Sequence, residues 1–392
     1  MAFYPLLFTV ALLHAFIGFR LVPELAWPWG WLLVAGLVLS SVLMPLGLLG
    51  KRIAGPPWAD RLSWVGLLLM GLFSSLLVLT VLRDVLLLVA WAINAVGLAL
   101  PLSSLRTLTA ETTPIVALAV TALGFVNARR TPAVVRVDVP IAGLPAALEG
   151  FTLVQISDVH IGPTIKHGFL QRIVATINTL GADVVAITGD LVDGKVSELA
   201  AHVAPLVGLQ SRHGTFFVTG NHEYYSGAHA WVAELRRLGL TVLMNEHVVL
   251  YHGKNKNSGV DAQEDSQTVA RLVLAGVTDF SAHHFDPTHR SDPAKALEGA
   301  PATALVRVLL AHQPRSAQAA SSAGFDLQLS GHTHGGQFWP WNLLVPLQQP
   351  FTAGLHKLHK LWVYTSRGTG YWGPPKRFGA PSEITALRLV AA

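Results

Sequence analysis

The sequence contains no cysteine, which excludes disulfides, thiolate catalysis and zinc sites built on sulfur. Charge is scarce as well: only 13% of the 392 residues are Asp, Glu, Lys or Arg, against about a quarter in soluble proteins. The scarcity is uneven. Nearly all the Asp, Glu and His lie after Arg129, whereas the first 128 residues are mostly Leu, Val, Ala, Phe and Trp and account for much of a 51% hydrophobic fraction. The net charge of +5 does not mark a nucleic-acid binder, because the basic residues are scattered. Their clusters, Lys51-Arg52 and Arg129-Arg130, flank apolar segments as the ends of membrane helices do, and no nucleic-acid partner is expected.

Five apolar stretches fill the first third, about Ala2 to Phe19, Trp27 to Gly50, Leu62 to Leu82, Val85 to Pro101 and Thr113 to Asn127. A helix crossing a bilayer needs roughly 20 mainly apolar residues. The first four stretches meet or approach that length and the fifth is marginal. Such stretches in succession leave no polar face for a soluble fold, so residues 1–128 read as an all-α transmembrane region of four or five helices. Trp27, Trp29, Trp31, Trp58 and Trp64 lie near segment ends, where indole rings favour the interface. Residues 1–22 lack a basic n-region and a small-residue cleavage site before Pro23, so the first stretch is read as a retained helix rather than a signal peptide.

Orientation turns on the fifth stretch. If it crosses, Lys51, Arg52, Arg61 and Arg106 share one side and Arg20, Arg83, Arg129 and Arg130 the other, a tie under the positive-inside rule. If it does not, Arg129 and Arg130 join the first group and the large domain is cytoplasmic.

From Thr131 the pattern changes to that of an α/β domain. Val135, Val137 and Val139 alternate with Arg136 and Asp138 as in a half-buried strand. Further strands are expected at Phe151 to Ile156, Val184 to Thr188, Thr215 to Thr219, Arg271 to Val277, Val306 to Ala311 and Asp326 to Leu329. Helical stretches at Phe169 to Leu180 and Ala228 to Leu238 intervene, which implies βαβ units. The polar run Gly253 to Thr268 reads as a surface loop. The expected organisation is a membrane region over 1–128, a linker and first strand over 129–150, and a catalytic domain over 151–392.

The informative fact is where the short apolar strands end. They run into Asp158-Val159-His160, Gly189-Asp190, Gly220-Asn221-His222-Glu223, His312 and Gly331-His332-Thr333-His334. Five strands thus deliver polar side chains at their C-terminal ends, the edge at which open α/β sheets place their sites. Glycines before Asp190, Asn221 and His332 are expected to permit tight turns. A spacing of two in Asp158/His160 and His332/His334 lets both side chains project the same way from an extended segment. Carboxylate, amide and imidazole donors suit Mn, Fe, Zn or Mg, and two such ions about 3.5 to 4 Å apart form the clamp used for in-line attack on phosphorus. Each fragment alone is weak, since a lone Gly-Asp is commonly a turn. Five in order point to a metal site.

Residues 131–390 resemble the calcineurin-like metallophosphoesterase superfamily, whose pattern Asp-x-His, Gly-Asp, Gly-Asn-His-Asp/Glu, His, Gly-His-x-His has every member present here. The strings Ala-His-Gln-Pro at 311–314, Gly-His-Thr-His-Gly-Gly-Gln at 331–337 and Arg-Gly-Thr-Gly-Tyr-Trp-Gly-Pro-Pro at 367–375 are similar to its bacterial membrane-anchored branch. The resemblance implies a four-layer sandwich of two sheets flanked by helices, placed in the bacterial cytoplasmic membrane by a multi-pass anchor. It also implies two divalent metal ions, one held by Asp158, His160, Asp190 and His334 and the other by Asp190, Asn221, His312 and His332. In the family the histidine at the position of His222 helps protonate the leaving oxygen, and the carboxylate at Asp193 orients it.

His283, His284, His289, His356 and His359 are read as loop or solvated residues, with cleft lining as the alternative. Glu223 is expected to close the turn after His222. The run Phe338-Trp339-Pro340-Trp341-Asn342-Leu343-Leu344-Val345-Pro346 is either a capping loop or an entrance for a lipid tail. The expected activity is hydrolysis of a phosphoester or pyrophosphate bond in a phosphorylated small molecule or lipid, with membrane lipids as surroundings. Some relatives in the membrane-associated branch cleave UDP-diacylglucosamine, which makes a nucleotide-lipid headgroup one concrete expectation. The alternatives are a broad phosphodiesterase that uses the membrane only as anchor, and a non-catalytic sensor or scaffold.

Overall fold

The computed structural model describes residues 3–55, 57–253 and 269–392; the loop expected over Gly253 to Thr268 lies outside them except for Gly253. The chain divides into two compact units, Met1–Arg129 with Gly373–Phe378, and Arg130–Trp372 with Gly379–Ala392.

In the first unit the helices are α1 (Phe3–Leu21), α2 (Trp27–Leu48), a short α3 (Gly50–Ile53), α4 (Trp58–Ala95) and α5 (Leu102–Arg129). Four of them are long and apolar enough to cross a membrane, and the chain is a multi-pass membrane protein. The stretches Leu62 to Leu82 and Val85 to Pro101 are not separate segments: α4 runs for 38 residues through both, about 57 Å at the α-helical rise. Arg83-Asp84 does not interrupt it because neither residue breaks a helix and both charges find partners. Arg83 Nε donates to Thr109 Oγ1 at 3.1 Å and its Nη2 to the Arg106 carbonyl at 3.1 Å, while Arg20 Nε and Nη2 hold Asp84 at 2.8 and 2.9 Å. The helix stops at Gly97, whose φ of +94° ends it. The fifth stretch is the C-terminal part of α5. Helices α2 and α4 meet at Gly47 and Gly66, where a Cβ on either would lie 2.6 Å from the other's Cα; small residues of this kind let membrane helices approach closely.

The second unit begins with β1 (Ala133–Ile141), β2 (Thr152–Ile156), α6 (His167–Asn178), β3 (Val184–Thr188), α7 (Val196–Val203), β4 (Thr215–Val218), α8 (Asn221–Ser226), α9 (Ala228–Arg237) and β5 (Thr241–Val242). It continues with β6 (Glu246–Gly253), β7 (Val269–Gly276), β8 (Val306–Leu310), α10 (Ala317–Ala323), β9 (Leu327–Ser330), β10 (Gly354–Leu358), β11 (Leu361–Thr365) and β12 (Glu383–Ala391). Two six-stranded sheets result, ordered β1-β12-β2-β3-β4-β5 and β10-β11-β9-β8-β7-β6. Helices flank them, giving the four-layer α/β sandwich.

Alternation builds the core. Leu153, Val184, Ala186, Phe216 and Val218 from one sheet pack with Leu272, Leu274, Val306, Val308, Leu310, Leu327 and Leu329 from the other, while the odd-even partners Val273, Ala275, Leu309 and Ala311 pack outward with Ala317 and Ala320 of α10. Strands β2, β3 and β4 are parallel neighbours, as are β8 and β9. Their C-terminal ends therefore share an edge in each sheet. The interior turns polar there: Gln155 Nε2 donates to Thr188 Oγ1 at 2.7 Å and to the Ser330 carbonyl at 2.9 Å, tying the sheets together just below the loops that follow.

Candidate metal centre

The loops after β2, β3, β4, β8 and β9 bring Asp158, His160, Asp190, Asn221, His312, His332 and His334 to these edges. Asp158, His160 and His334 form one group whose donor atoms lie close enough to share an ion, and Asp190, His312 and His332 form a second. Asp190 Oδ2 stands between them, 3.2 Å from His312 Nε2 and 3.9 Å from His160 Nε2. The same oxygen is 3.9 Å from His222 Nε2, so His222 borders the groups.

Backbone geometry shows how much the fold concedes to this arrangement. Among the described residues eight non-glycine residues have positive φ, and five are Asp158, His160, Asp190, His332 and His334. Left-handed backbone costs an L-residue about 1 kcal/mol or more, and its recurrence at five neighbouring chelating side chains is a mark of a functional site. The glycines serve two purposes. Gly189, with φ of +82°, makes the turn expected of it, whereas Gly220 and Gly331 are required by space: a Cβ on Gly220 would overlap the Asp190 carboxylate, and one on Gly331 would overlap Ser157 and Asp158.

Hydrogen bonds fix which nitrogens face inward. His312 Nδ1 is 2.7 Å from the Thr188 carbonyl, to which it donates, so Nε2 carries the lone pair. His160 Nδ1 likewise faces Asp193 Oδ1 at 3.0 Å, leaving Nε2 only 3.0 Å from His334 Nε2. His332 Nδ1 lies 3.2 Å from His312 Nε2. Ring nitrogens converging at such distances, with the other nitrogens of His312 and His160 tied to a carbonyl and a carboxylate, are the arrangement found around metal ions. Asn221 Oδ1 is buried without a hydrogen-bond partner, an amide oxygen left over for a cation. The donor set thus fits two divalent ions.

Glu223 does more than close its own turn. It is fully buried and accepts from the backbone N–H of Gly220 at 2.7 Å, Asp190 at 2.9 Å and Leu191 at 2.8 Å, fastening the loop after β3 to that after β4. Burial, aided by the nearby Asp190 charge, pushes its pKa up to about 7 against the pull of those donors.

Asp193 Oδ1 is shared by two rings, His160 Nδ1 at 3.0 Å and His222 Nδ1 at 2.6 Å. Burial opposes its ionisation, but the two imidazoles outweigh it and hold the carboxyl well below its ordinary value. Burial would lower His222 too; the Asp193 hydrogen bond and the Asp190 charge reverse this and hold it up at about 9.

Several neighbours were not visible in the sequence reading. The Trp372 ring lies 5.8 Å from that of His222, and Tyr225 lies 5.1 Å from it. Gln337 fixes Trp372 by a reciprocal pair of 2.8 Å hydrogen bonds to its backbone N–H and carbonyl. The signal was present in the strings 331–337 and 367–375, but nothing in either string indicated that they pair. His283, His284, His356 and His359 join no metal-competent group among the described residues. Of the run after His334, Phe338 is buried, while Trp339, Trp341, Leu343, Leu344 and Leu347 are exposed.

Residues 151–336 match the family model for calcineurin-like phosphoesterase, and the chain therefore carries a calcineurin-like metallophosphoesterase domain behind its membrane helices. The chain is 39% identical over 287 residues to a zebrafish (Danio rerio) protein named transmembrane protein with metallophosphoesterase domain, covering 71% of this chain and 63% of that one. The protein of the same name from Bos taurus is 42% identical over 275 residues, 69% and 60% of the two chains. An uncharacterized metallophosphoesterase of Campylobacter jejuni is 35% identical over 269 residues, 67% and 64% respectively. The chain spans less than two thirds of the length of these relatives.

Proposed function

We propose that the protein is a membrane-anchored, metal-dependent hydrolase that cleaves a phosphoester or pyrophosphate bond in the headgroup of an amphiphilic substrate, a lipid or nucleotide-linked lipid such as UDP-diacylglucosamine. The observation that carries the reading is the exposed apolar surface beside the candidate centre: Trp339, Trp341, Leu343, Leu344 and Leu347 follow His334 closely, and Tyr225 and Trp372 pack around His222 while themselves exposed. An exposed apolar patch of this extent at a catalytic edge favours a ligand with an apolar portion.

In this reading Asp158, His160, Asp190 and His334 would hold one ion, and Asp190, Asn221, His312 and His332 would hold the other. Divalent ions so held supply water activation and charge neutralisation at the phosphoryl oxygens. His222 gives the proton on Nε2 to the leaving oxygen, since Nδ1 is committed to Asp193. Asp193 sets that tautomer, and by holding His160 through the same oxygen it keeps acid and ligand in register.

The test compares metal-dependent turnover of a small chromogenic diester with that of diacylated phosphoesters and pyrophosphates in detergent. The lipid reading expects a clear preference for the acylated substrates. Equal or better turnover of the small diester would leave a broad phosphodiesterase anchored at the bilayer.

We also infer that the catalytic domain faces the cytoplasm. With α4 one helix, four crossings put Lys51, Arg52, Arg61, Arg129 and Arg130 on one side and Arg20, Arg83 and Arg106 on the other, and the basic side is the cytoplasmic one. A reporter fused after Ala392 tests this: activity only of an exported reporter would reverse the assignment.

A further inference from the structure

We infer that His229, Asp286 and His289 form a third metal site, separate from the candidate centre and suited to a zinc-like divalent ion. His229 is the second residue of α9, and the other two lie in the segment after β7. Asp286 Oδ2 is 3.1 Å from His229 Nε2 and 3.8 Å from His289 Nε2, and the three donor atoms all lie within 4.8 Å of one another. Two imidazoles and one carboxylate are a familiar zinc donor set that leaves a position for solvent.

Two of the three ligands are oriented by groups outside the trio. Asp286 Oδ1 accepts from Thr288 N at 2.9 Å and Thr288 Oγ1 at 2.6 Å, which leaves Oδ2 for the two rings. His289 Nδ1 is 2.9 Å from the Tyr224 hydroxyl, leaving Nε2 to face Asp286. Outer partners of this kind fix ring orientation at metal sites. The His229 and His289 rings stand 4.9 Å apart and line a cavity of about 320 Å³, so a fourth position is open to water.

A second trio, Asp183, His213 and His252, has similar spacing and shows what excludes an ion. There Arg212 Nη1 sits 3.2 Å from His252 Nε2 and 3.6 Å from Asp183 Oδ1, so a cation already occupies the place. At the His229 trio Arg236 lines the same cavity, but its guanidinium is engaged elsewhere, donating to the Val242 carbonyl at 3.3 Å and lying 3.7 Å from Glu246.

An ion there would tie the segment after β7 to α9. That segment carries Phe285, whose ring packs 5.4 Å from Tyr225, itself 5.1 Å from His222. The site would thus brace the aromatic rim of the catalytic edge without touching the reacting groups.

The full chain in detergent, saturated with zinc and freed of excess by gel filtration, is analysed for metal per chain beside Asp286→Asn and the double variant His229→Ala/His289→Ala. Each variant is expected to hold one zinc fewer than the unmodified chain, and its cobalt-substituted form to lose the corresponding share of visible ligand-field absorbance. Because the readout is a difference of one equivalent, it stands whether or not the catalytic reading does. Equal zinc content in all three proteins overturns the inference. If the double variant does not fold, Asp286→Asn, which preserves shape, decides alone.

Discussion

Buried polar groups occur in both units, and the difference between them separates scaffold from site. In the helical unit Arg83 is almost wholly enclosed, yet its guanidinium is answered by Thr109, the Arg106 carbonyl and Asp84. In the sandwich Asn221 Oδ1 is enclosed and unanswered, and imidazole nitrogens approach one another at 3.0 and 3.2 Å, with the outer nitrogens of His160 and His312 committed to Asp193 and the Thr188 carbonyl. A charge inside a bilayer must be paired for the helices to persist. Donor atoms that converge on one another inside a domain are kept for a ligand.

The comparison breaks most sharply at Asp190. Asp190→Ala should lower turnover by at least about 1,000-fold, the several kcal/mol that metal ions contribute to phosphoryl transfer, and metal content should fall with it. Retained metal would remove Asp190 from its place between the groups. His222→Ala should lower turnover by roughly 100- to 10,000-fold, the range for a general acid, with metal content unchanged; loss of metal would make His222 a ligand.

Asp193→Asn probes the same ring through pH. Asp193 raises the His222 pKa, so His222 stays protonated until the pH climbs through that raised value and its acid function is lost above it. The substitution should move the alkaline limb of the pH–rate profile to lower pH, and an unmoved limb would detach the acid from Asp193. The smallest effect is expected on the other side of the comparison. Arg83→Leu removes hydrogen bonds from a charged donor worth about 1.5 to 3 kcal/mol each at most, and should lower the melting temperature in detergent while the metal content stays as it was.

Much of the second unit could be read before its structure. The strand ends were legible because each apolar run stops at a chelating residue, and β2, β3, β4, β8 and β9 begin and end within a residue or two of the expected bounds. The hairpin β10–β11 was not, because Leu-His-Lys-Leu-His-Lys alternates like a solvated face; the turn rests on His359 at φ of +56°, a residue rarely found there. In the membrane unit, Arg83-Asp84 looked like a boundary because charge in an apolar run normally marks a loop, and only the partners supplied by α1 and α5 reveal a continuous helix. Asp193 was legible as a partner of His222. Its second bond, to His160, depends on how two loops fold beside each other and has no trace in spacing.

The left-handed residues of the centre carry one more consequence, and it concerns time rather than affinity. Glycine would relieve the strain at Asp158, His160, Asp190, His332 and His334, but glycine has nothing with which to chelate. The chain must therefore hold five uphill conformations until ions arrive, which biases the loops that bear them toward opening. Backbone amides at 158–160, 189–191 and 331–334 should exchange with deuterium faster after chelation and slow on reloading, while β2, β3 and β9 beneath them keep their pace.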